Sequence, residues 1–275
     1  REGIPVRSWC WPGNTADMSV VPEVKRDLIG WKLGRVITVL DRGFVSEENL
    51  RQLQRAGGHY IVGEKMRGSE RAEEAMSRQG RYKKVKENLE VKEVVVGDGE
   101  ARVRYVLVRN PQEAERDRLR REQILKDLRE ALAELKGSGH TKRCCELVSH
   151  PVYGRYLKVL KDGRLKINME AVREDEKLDG KFLVRTSDDT LSPEDVALGY
   201  KRLIEVEDAF RCLKHTLDLR PIYHRLEDRI RSHVLLCWLA LLLIRVAETR
   251  VGETWPATKR ALEAMHLGEF AGPGG

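Results

Sequence analysis

Cysteine is scarce in this sequence, and its few residues form no pairing pattern. The five cysteines are Cys10, Cys144, Cys145, Cys212 and Cys237. An odd and scattered set fits a reducing compartment better than a disulfide framework, so we expect a cytoplasmic protein. His140 and His150 lie near two of these cysteines, but the spacing lacks the paired ligands of a zinc site. Ordinary loop residues are the favoured interpretation there.

The sequence also lacks a long apolar run. The longest, residues 233–246, is shorter than the roughly 20 residues that a membrane-spanning helix needs, and Arg and Glu flank it. We therefore predict a buried core helix and no membrane partner. We recognise neither a signal peptide nor an internal repeat. Because the chain opens without Met, inside what looks like a strand, we expect it to be the downstream part of a longer protein.

Basic residues outnumber acidic ones. Lys and Arg total 51 and Asp and Glu total 44, which gives a net charge of +7 and a pI of about 9.1. This balance favours a polyanionic partner, and the alternative is a mixed-charge surface that is basic by chance. A hydrophobic fraction of 41% in 275 residues allows a substantial core and one or two domains.

The first part of the chain alternates between strand and helix patterns. Residues 4–11 alternate weakly as a strand, and a helix is expected after them. The run VITVLD, residues 36–41, predicts a buried parallel strand that ends in Asp41. Ser46 then caps a helix, and a further strand follows over residues 59–66.

Composition changes after Met66. Residues 67–82 are polar and are predicted to be loose, and the Gly-Asp-Gly turn at residues 97–99 predicts a β-hairpin. A long charged helix should follow, and residues 155–168 predict a second hairpin.

A strand pattern returns at residues 181–187. We therefore predict an α/β protein whose core, residues 1–66, resumes at residues 179–275. Between them lies a β-rich insertion with a long charged helix, residues 67–178.

The stretch GYKRLIEVEDAFRCLK, residues 199–214, carries Tyr200, Glu207 and Lys214 at intervals of seven residues. On one helix this spacing places the three side chains on a single polar strip, with Arg211 beside them. A second strip on the same helix is apolar and is predicted to face the core. It contains Leu203, Val206, Phe210, Leu213 and Leu217. Glu207 would then stand at the edge of the core.

An Asp at the end of a buried strand and a Glu on a later helix are the groups that a divalent-metal site for phosphoryl transfer needs. Mg²⁺ prefers carboxylate oxygens, keeps several waters and takes its remaining ligands from phosphate. Taken alone, Asp41 is more often a turn or cap residue and Glu207 a solvated helix residue. Their combination makes Asp41 and Glu207 a candidate metal site.

The spacing of Tyr200, Glu207 and Lys214 resembles the Y-x2-R-x3-E-x6-K signature of DDE transposases of bacterial insertion sequences. Four other stretches are similar to that family, in its order: PGNTAD at 12–17, Asp41-Arg42-Gly43, DGKFLVRTSDD at 179–189 and LRPIYH at 219–224. The resemblance covers essentially the whole chain. It implies a ribonuclease H-like fold that carries a β-rich insertion before the helix of the catalytic Glu.

The resemblance also implies roles for single residues. Asp41 would be the second catalytic Asp and Glu207 the catalytic Glu, together holding Mg²⁺ or Mn²⁺. Tyr200 and Lys214 would contact DNA phosphate or the transposon end. The implied reaction is DNA cleavage at transposon ends followed by strand transfer into target double-stranded DNA. A homodimer or larger assembly would carry it out, associated with the bacterial nucleoid when bound to DNA.

Two departures from the family pattern matter. Leu203 stands where the signature has Arg, and Arg211 is a better candidate for that role than Arg202, which lies 100° away around the helix. The family's first catalytic Asp belongs on a strand upstream of residues 4–11, so we expect this chain alone to be inactive. The alternatives are an inactive DNA-binding remnant, another ribonuclease H-like nuclease, or a basic globular protein with a chance motif.

Overall fold

The computed structural model describes residues 3–135 and 142–266 as a mixed α/β protein, so the predicted α/β class is confirmed. The chain divides into two compact units. The first contains residues 1–20 and 201–275, and the second contains residues 21–200. The predicted three-part division at residues 66 and 178 stays a prediction.

A six-stranded mixed sheet forms the centre of the second unit. The eight described strands are β1 (Ile37–Leu40), β2 (His59–Glu64), β3 (Lys83–Lys86), β4 (Leu89–Val96), β5 (Val103–Arg109), β6 (Leu157–Val159), β7 (Leu165–Ile167) and β8 (Lys181–Thr186). The sheet order is β1-β2-β8-β5-β4-β3, with β1 parallel to β2 and the other pairs antiparallel. Strands β6 and β7 form a separate hairpin. The strands of residues 83–109 therefore extend the same sheet as β1, β2 and β8.

Helices account for most of the remaining chain. They are α1 (Asp17–Gly30), α2 (Glu47–Gln54), α3 (Glu70–Ser77), α4 (Pro111–Ala133), α5 (Lys142–Ser149), α6 (Met169–Glu176), α7 (Pro193–Lys201), α8 (Leu203–His215), α9 (Glu227–Val251) and α10 (Trp255–Glu263). Both predicted hairpins and the long charged helix α4 are present. Ser46 caps α2 as predicted, because its hydroxyl accepts a hydrogen bond from the Asn49 amide at 3.1 Å.

The sheet of the second unit is covered on both faces. Helix α7 packs on one face through Val196 and Ala197, which are fully buried against β2, β5 and β8. On the other face, α2 packs on β2, and α3 packs on β4 and β5. Strand β1 lies at the edge of the sheet and is half-buried, so the predicted parallel strand exists but is less buried than expected.

Residues 4–11 form no strand, so this prediction is wrong. In this segment the Trp9 and Trp11 rings are stacked, with centroids 6.3 Å apart. Within the described residues, however, no strand pairs with it. The Cys10 carbonyl instead accepts a hydrogen bond from the Arg231 side chain at 3.4 Å. An alternating sequence predicts an extended chain but cannot show whether a partner strand lies beside it.

The segment of residues 67–82 is not entirely loose, because it contains α3. Ser69 caps this helix by accepting a hydrogen bond from the Ala72 amide at 3.4 Å. Ala72 and Ala75 lie on one side of the helix and are fully buried against the sheet. Alanine is readily buried but adds little to the hydropathy of a segment. The mostly polar composition of residues 67–82 therefore did not indicate this short amphipathic helix.

The helix predicted to carry Tyr200, Glu207 and Lys214 is in fact two helices. Helix α7 ends one residue before Arg202, and α8 begins one residue after it. Arg202 itself keeps right-handed helical angles, with φ −67° and ψ −11°. Tyr200 therefore belongs to α7, whereas Glu207 and Lys214 belong to α8. Side-chain periodicity continues through such a break and does not reveal it.

Helix α9 is less buried than its sequence predicts. Cys237, Leu241 and Ile244 are its buried residues, whereas Leu236 is 66% and Leu243 is 70% exposed. The prediction of a fully buried core helix is therefore wrong. Hydropathy describes the side chains around a helix, but the neighbouring elements decide which of its faces are covered.

By length and composition alone, α9 could cross a membrane. It has 25 residues and a mean hydropathy of 1.8 over its most apolar window. Its uncharged stretch, residues 232–244, is about 20 Å long at 1.5 Å per residue, which is shorter than the roughly 30 Å hydrocarbon core of a bilayer. The sequence argument against a membrane span therefore applies to the uncharged stretch and not to the whole helix.

Candidate functional site

Asp41 lies directly after β1 and is exposed. Its side chain caps the short 3-10 turn Arg42–Phe44, because Oδ1 accepts a hydrogen bond from the Arg42 amide at 2.7 Å. Within the described part of the chain, Oδ2 accepts no hydrogen bond. Asp41 therefore presents a carboxylate held at one oxygen, while its other oxygen remains available to a ligand.

Tyr200 reaches Asp41 from α7. Its hydroxyl donates a hydrogen bond to Asp41 Oδ1 over 3.3 Å, the long end of the range for such bonds. Its ring packs against Phe182 on β8, with ring centroids 5.7 Å apart. Tyr200 is half-buried at the edge of the core between α7 and the sheet. Sequence reasoning predicted a contact of this tyrosine with DNA and did not foresee its contact with Asp41.

Gly63 on β2 makes room for the Tyr200 ring. A Cβ atom built on Gly63 would lie 2.2 Å from the Tyr200 hydroxyl oxygen and 2.9 Å from its Cζ atom, so no other residue fits without displacing the tyrosine. Sequence reasoning missed this residue. The signal was present, because an isolated glycine inside a strand often marks the close approach of another group.

Glu207, Arg211 and Lys214 are exposed on α8. Separations of four and seven residues place them on one side of the helix, over about 10 Å. Arg211 donates a hydrogen bond to Asp208 at 2.7 Å. Among the described residues, neither Glu207 nor Lys214 takes part in a salt bridge. This polar strip, defined by Glu207, Arg211 and Lys214, can offer one carboxylate and two cations to an external ligand.

The apolar side of α8 lines a cavity and not a packed core. The cavity has a volume of about 690 Å³, and its lining includes Val206, Phe210 and Leu213 of α8 and Trp238 of α9. Val206 is 48% and Phe210 is 53% exposed, and α8 has no buried residue. The predicted apolar strip exists, but Glu207 does not stand at the edge of a packed core.

Asp41 and Glu207 belong to different units. Over residues 3–135 and 142–266, no group of three or more His, Cys, Asp or Glu side chains could hold a metal ion. Mg²⁺ needs fewer protein ligands, because it is often bound by one or two carboxylates together with waters and phosphate. The exposed Asp41, with Oδ2 available, fits that requirement. His140, near the cysteines considered for zinc, lies outside the described residues.

A buried carboxylate, Asp188, holds the strands of the second unit together. It follows β8, is fully buried, and accepts hydrogen bonds from the amides of Thr190 at 2.8 Å and Leu191 at 2.9 Å. Arg35, which precedes β1, forms an ion pair with it, and His59 at the start of β2 lies 3.6 Å away. The network therefore joins β1 and β2 to the end of β8.

The charge state of Asp188 follows from these contacts. Burial acts to raise the pKa of its carboxyl group, but hydrogen bonds from Arg35, Leu191 and Thr190 outweigh burial and hold the pKa well below its ordinary value. Asp188 is therefore ionised at neutral pH. Sequence reasoning included it only within a family-like stretch and assigned it no role.

The hairpin of β6 and β7 carries an exposed basic face. Lys158 and Lys166 lie directly opposite each other in the strand register, and both are exposed. Their neighbours in the register, Leu157 and Ile167, pack on the hydrophobic cluster beneath. Like charges directly opposite each other destabilise a hairpin unless an anion screens them. The face defined by Lys158 and Lys166 is therefore a candidate contact for phosphate.

The comparisons with known proteins identify one family. A family model described as "Transposase DDE domain" matches residues 2–243. This range includes both candidate carboxylates and the whole six-stranded sheet. No curated protein and no solved structure is similar enough to this chain to count as a match.

Proposed function

Because the chain belongs to the family of transposase DDE domains, we propose that it acts in a bacterial insertion-sequence transposase that cleaves and joins double-stranded DNA by divalent-metal phosphoryl transfer. The observation that carries this proposal is the family match over residues 2–243, which spans both Asp41 and Glu207. The net charge of +7 supports a polyanionic substrate.

Asp41 and Glu207 are the proposed ligands of Mg²⁺ or Mn²⁺. Oδ2 of Asp41 and the carboxylate of Glu207 are the oxygen donors that such a hard cation prefers. Such a cation would supply Lewis-acid activation of the reacting phosphate and of the attacking oxygen. Asp41 and Glu207 would hold that cation through their carboxylate oxygens.

The cations of α8 bind the DNA backbone in this proposal. Lys214 and Arg211 share a helix side with Glu207, so phosphates next to the reacting one would lie within their reach. Contacts to phosphate do not depend on the base sequence, so these two cations would position the DNA strand but would not contribute to sequence specificity. Tyr200 is the remaining family-implied DNA contact.

The architecture proposed for the protein is a ribonuclease H-like core formed by residues 1–66 and 179–275, with residues 67–178 as its insertion. The protein acts as a homodimer or larger assembly on paired transposon ends, in the bacterial cytoplasm at the nucleoid.

Cleavage assays separate the candidate functions. Labelled DNA that carries the terminal repeats flanking the gene is incubated with the protein, including any in-frame upstream sequence, and Mg²⁺ or Mn²⁺. A transposase yields nicked ends and joined products. Hydrolysis without joining indicates another ribonuclease H-like nuclease, and DNA binding without cleavage indicates an inactive remnant.

The basic face of the β6–β7 hairpin is proposed to touch DNA. Replacing both Lys158 and Lys166 with alanine should weaken DNA binding uniformly across sequences, because each lysine releases a counterion when it binds phosphate. The slope of log K against log salt concentration should fall by about 2 in magnitude. Binding isotherms at several salt concentrations measure this slope.

A matched control removes two positive charges from another part of the second unit. Arg116 and Arg118 on α4 form ion pairs with Glu113, Glu115 and Glu122, so their replacement by alanine should leave the slope nearly unchanged. If the hairpin variant also keeps the slope, its lysines serve another purpose, such as protecting an edge strand from pairing with other chains.

A further inference from the structure

The family signature does not explain one cluster of residues in the second unit. This cluster consists of Tyr200, Gly63 and Asp41. The signature implies a DNA contact for this tyrosine, yet its hydroxyl points to a carboxylate of its own unit, 3.3 Å from Asp41 Oδ1. We propose that Tyr200 is a positioning residue for Asp41, and that Gly63 permits this role. The inference rests on the proposed function, since it assumes that Asp41 binds a divalent cation.

The hydrogen bonds to Asp41 give the first argument. Oδ1 is the acceptor for both the Arg42 amide, at 2.7 Å, and the Tyr200 hydroxyl. Two donors on one oxygen fix the rotation of the carboxylate about its Cβ–Cγ bond. Oδ2, which accepts no hydrogen bond from the described residues, is then held in one direction for a cation. Hydrogen bonds of this kind to a metal-binding carboxylate commonly set its orientation.

The packing around the tyrosine gives the second argument. The Tyr200 ring is fixed between the Phe182 ring, at a centroid distance of 5.7 Å, and the backbone of Gly63. Gly199 on α7 also lies close to the sheet, since a Cβ there would be 3.2 Å from Ile61 Cδ1. Gly63 and Gly199 thus allow α7 to pack closely on β2, and the Tyr200 hydroxyl can then reach Asp41. If the only role of Tyr200 were to contact DNA, α7 would not need to pack this closely on β2.

The test compares Mn²⁺ affinity in the absence of DNA, measured by the electron paramagnetic resonance signal of free Mn²⁺. Tyr200→Phe keeps the ring and its packing but removes the hydroxyl, and should raise the Mn²⁺ dissociation constant about 10-fold or more. Gly63→Ala should have the same effect, because the added Cβ displaces the hydroxyl. The double variant with both substitutions should have about the same Mn²⁺ dissociation constant as either single variant, because both substitutions remove the same hydrogen bond.

Two further variants make the outcome decisive. Tyr223→Phe, at a tyrosine that is 85% exposed, is the matched control and should leave the affinity unchanged. Asp41→Asn should abolish the site. If Asp41→Asn does not change Mn²⁺ binding, the proposed metal site itself fails. If Asp41→Asn abolishes binding while Tyr200→Phe has wild-type affinity, the metal site stands and the positioning role is overturned.

A DNA contact leaves a different signature. If Tyr200 serves only the DNA backbone, Tyr200→Phe lowers DNA affinity and leaves Mn²⁺ affinity at the wild-type value. The positioning role instead predicts that Tyr200→Phe weakens Mn²⁺ binding when no DNA is present. Should Gly63→Ala fail to fold, as judged by its circular dichroism, Tyr200→Phe alone decides the question.

Discussion

Replacing Asp188 with alanine is expected to lower the free energy of unfolding by about 3 kcal/mol, because it removes a fully buried carboxylate that accepts several part-buried hydrogen bonds. The amides of Thr190 and Leu191 lose their partner, and Arg35 loses its counterion. Since the Arg35 side chain is 47% exposed, water can take over part of its interaction with Asp188. Urea denaturation followed by circular dichroism measures the change.

The neighbouring residue provides the control. Asp189 is 59% exposed and pairs with Arg102 at 3.2 Å on the surface, so Asp189→Ala should change stability by no more than about 0.5 kcal/mol. Equal effects of the two variants would contradict the structural role assigned to Asp188.

The stabilisation by Asp188 should depend on pH with a defined sign. Its pKa in the folded protein lies below its ordinary value, so its contribution is fully present above the pKa of the unfolded state, near 3.9. The contribution is lost as the pH falls below that value towards the lower pKa of the folded state. The stability difference between the wild type and Asp188→Ala should therefore shrink in acid, and a difference that grows in acid would contradict this account.

Replacing Glu207 with glutamine should abolish DNA cleavage by the transposase that contains this domain. Glutamine keeps the size of the side chain but removes the charge that binds the cation. Loss of such a ligand costs several kcal/mol in the transition state, which corresponds to a rate decrease of about three orders of magnitude or more. DNA affinity should stay within about twofold, because Lys214 and Arg211, the proposed phosphate contacts, are retained. Rates of end cleavage and DNA-binding isotherms measure the two effects.

Asp208→Asn is the matched control for Glu207→Gln. Asp208 is exposed on the same helix and pairs with Arg211, so its replacement should leave the cleavage rate close to that of the wild type. Normal cleavage by Glu207→Gln would remove Glu207 from the catalytic site.

The sequence allowed most elements of the second unit to be predicted, because their signals are local. The turns at residues 97–99 and 162–163 fix the hairpins, and Ser46 marks the start of α2. Asp41 was placed correctly at the end of a strand, since a β-branched run followed by Asp-Arg-Gly is a local pattern. The mixed α/β class follows from these elements.

The wrong predictions concern what lies beside an element. Residues 4–11 have a strand pattern, but no strand pairs with them in the described chain. Helix α9 has the composition of a core helix, but Leu236 and Leu243 are largely exposed. The break between α7 and α8 at Arg202 leaves the side-chain period unchanged. Strand pairing, the burial of a helix face and a break in a helix depend on the tertiary structure. The pattern of a single sequence does not determine them.

The site was predicted only in part for the same reason. The seven-residue spacing identified Tyr200, Glu207 and Lys214 as a set, but it suggested one shared role. In the structure Tyr200 contacts Asp41 across Gly63, a long-range contact that no spacing along the helix encodes. The isolated glycine in β2 was the only sequence signal for it.

The most direct test of the central claim is the binding of Mn²⁺ to the chain, measured by isothermal titration calorimetry with wild-type protein, Asp41→Asn, Glu207→Gln and the Asp208→Asn control. The wild type and Asp208→Asn should bind Mn²⁺ with the same affinity, and each of the other two variants should lose at least about 10-fold in affinity, because each removes one proposed carboxylate ligand. Equal Mn²⁺ affinity in all four proteins would contradict a metal site formed by Asp41 and Glu207.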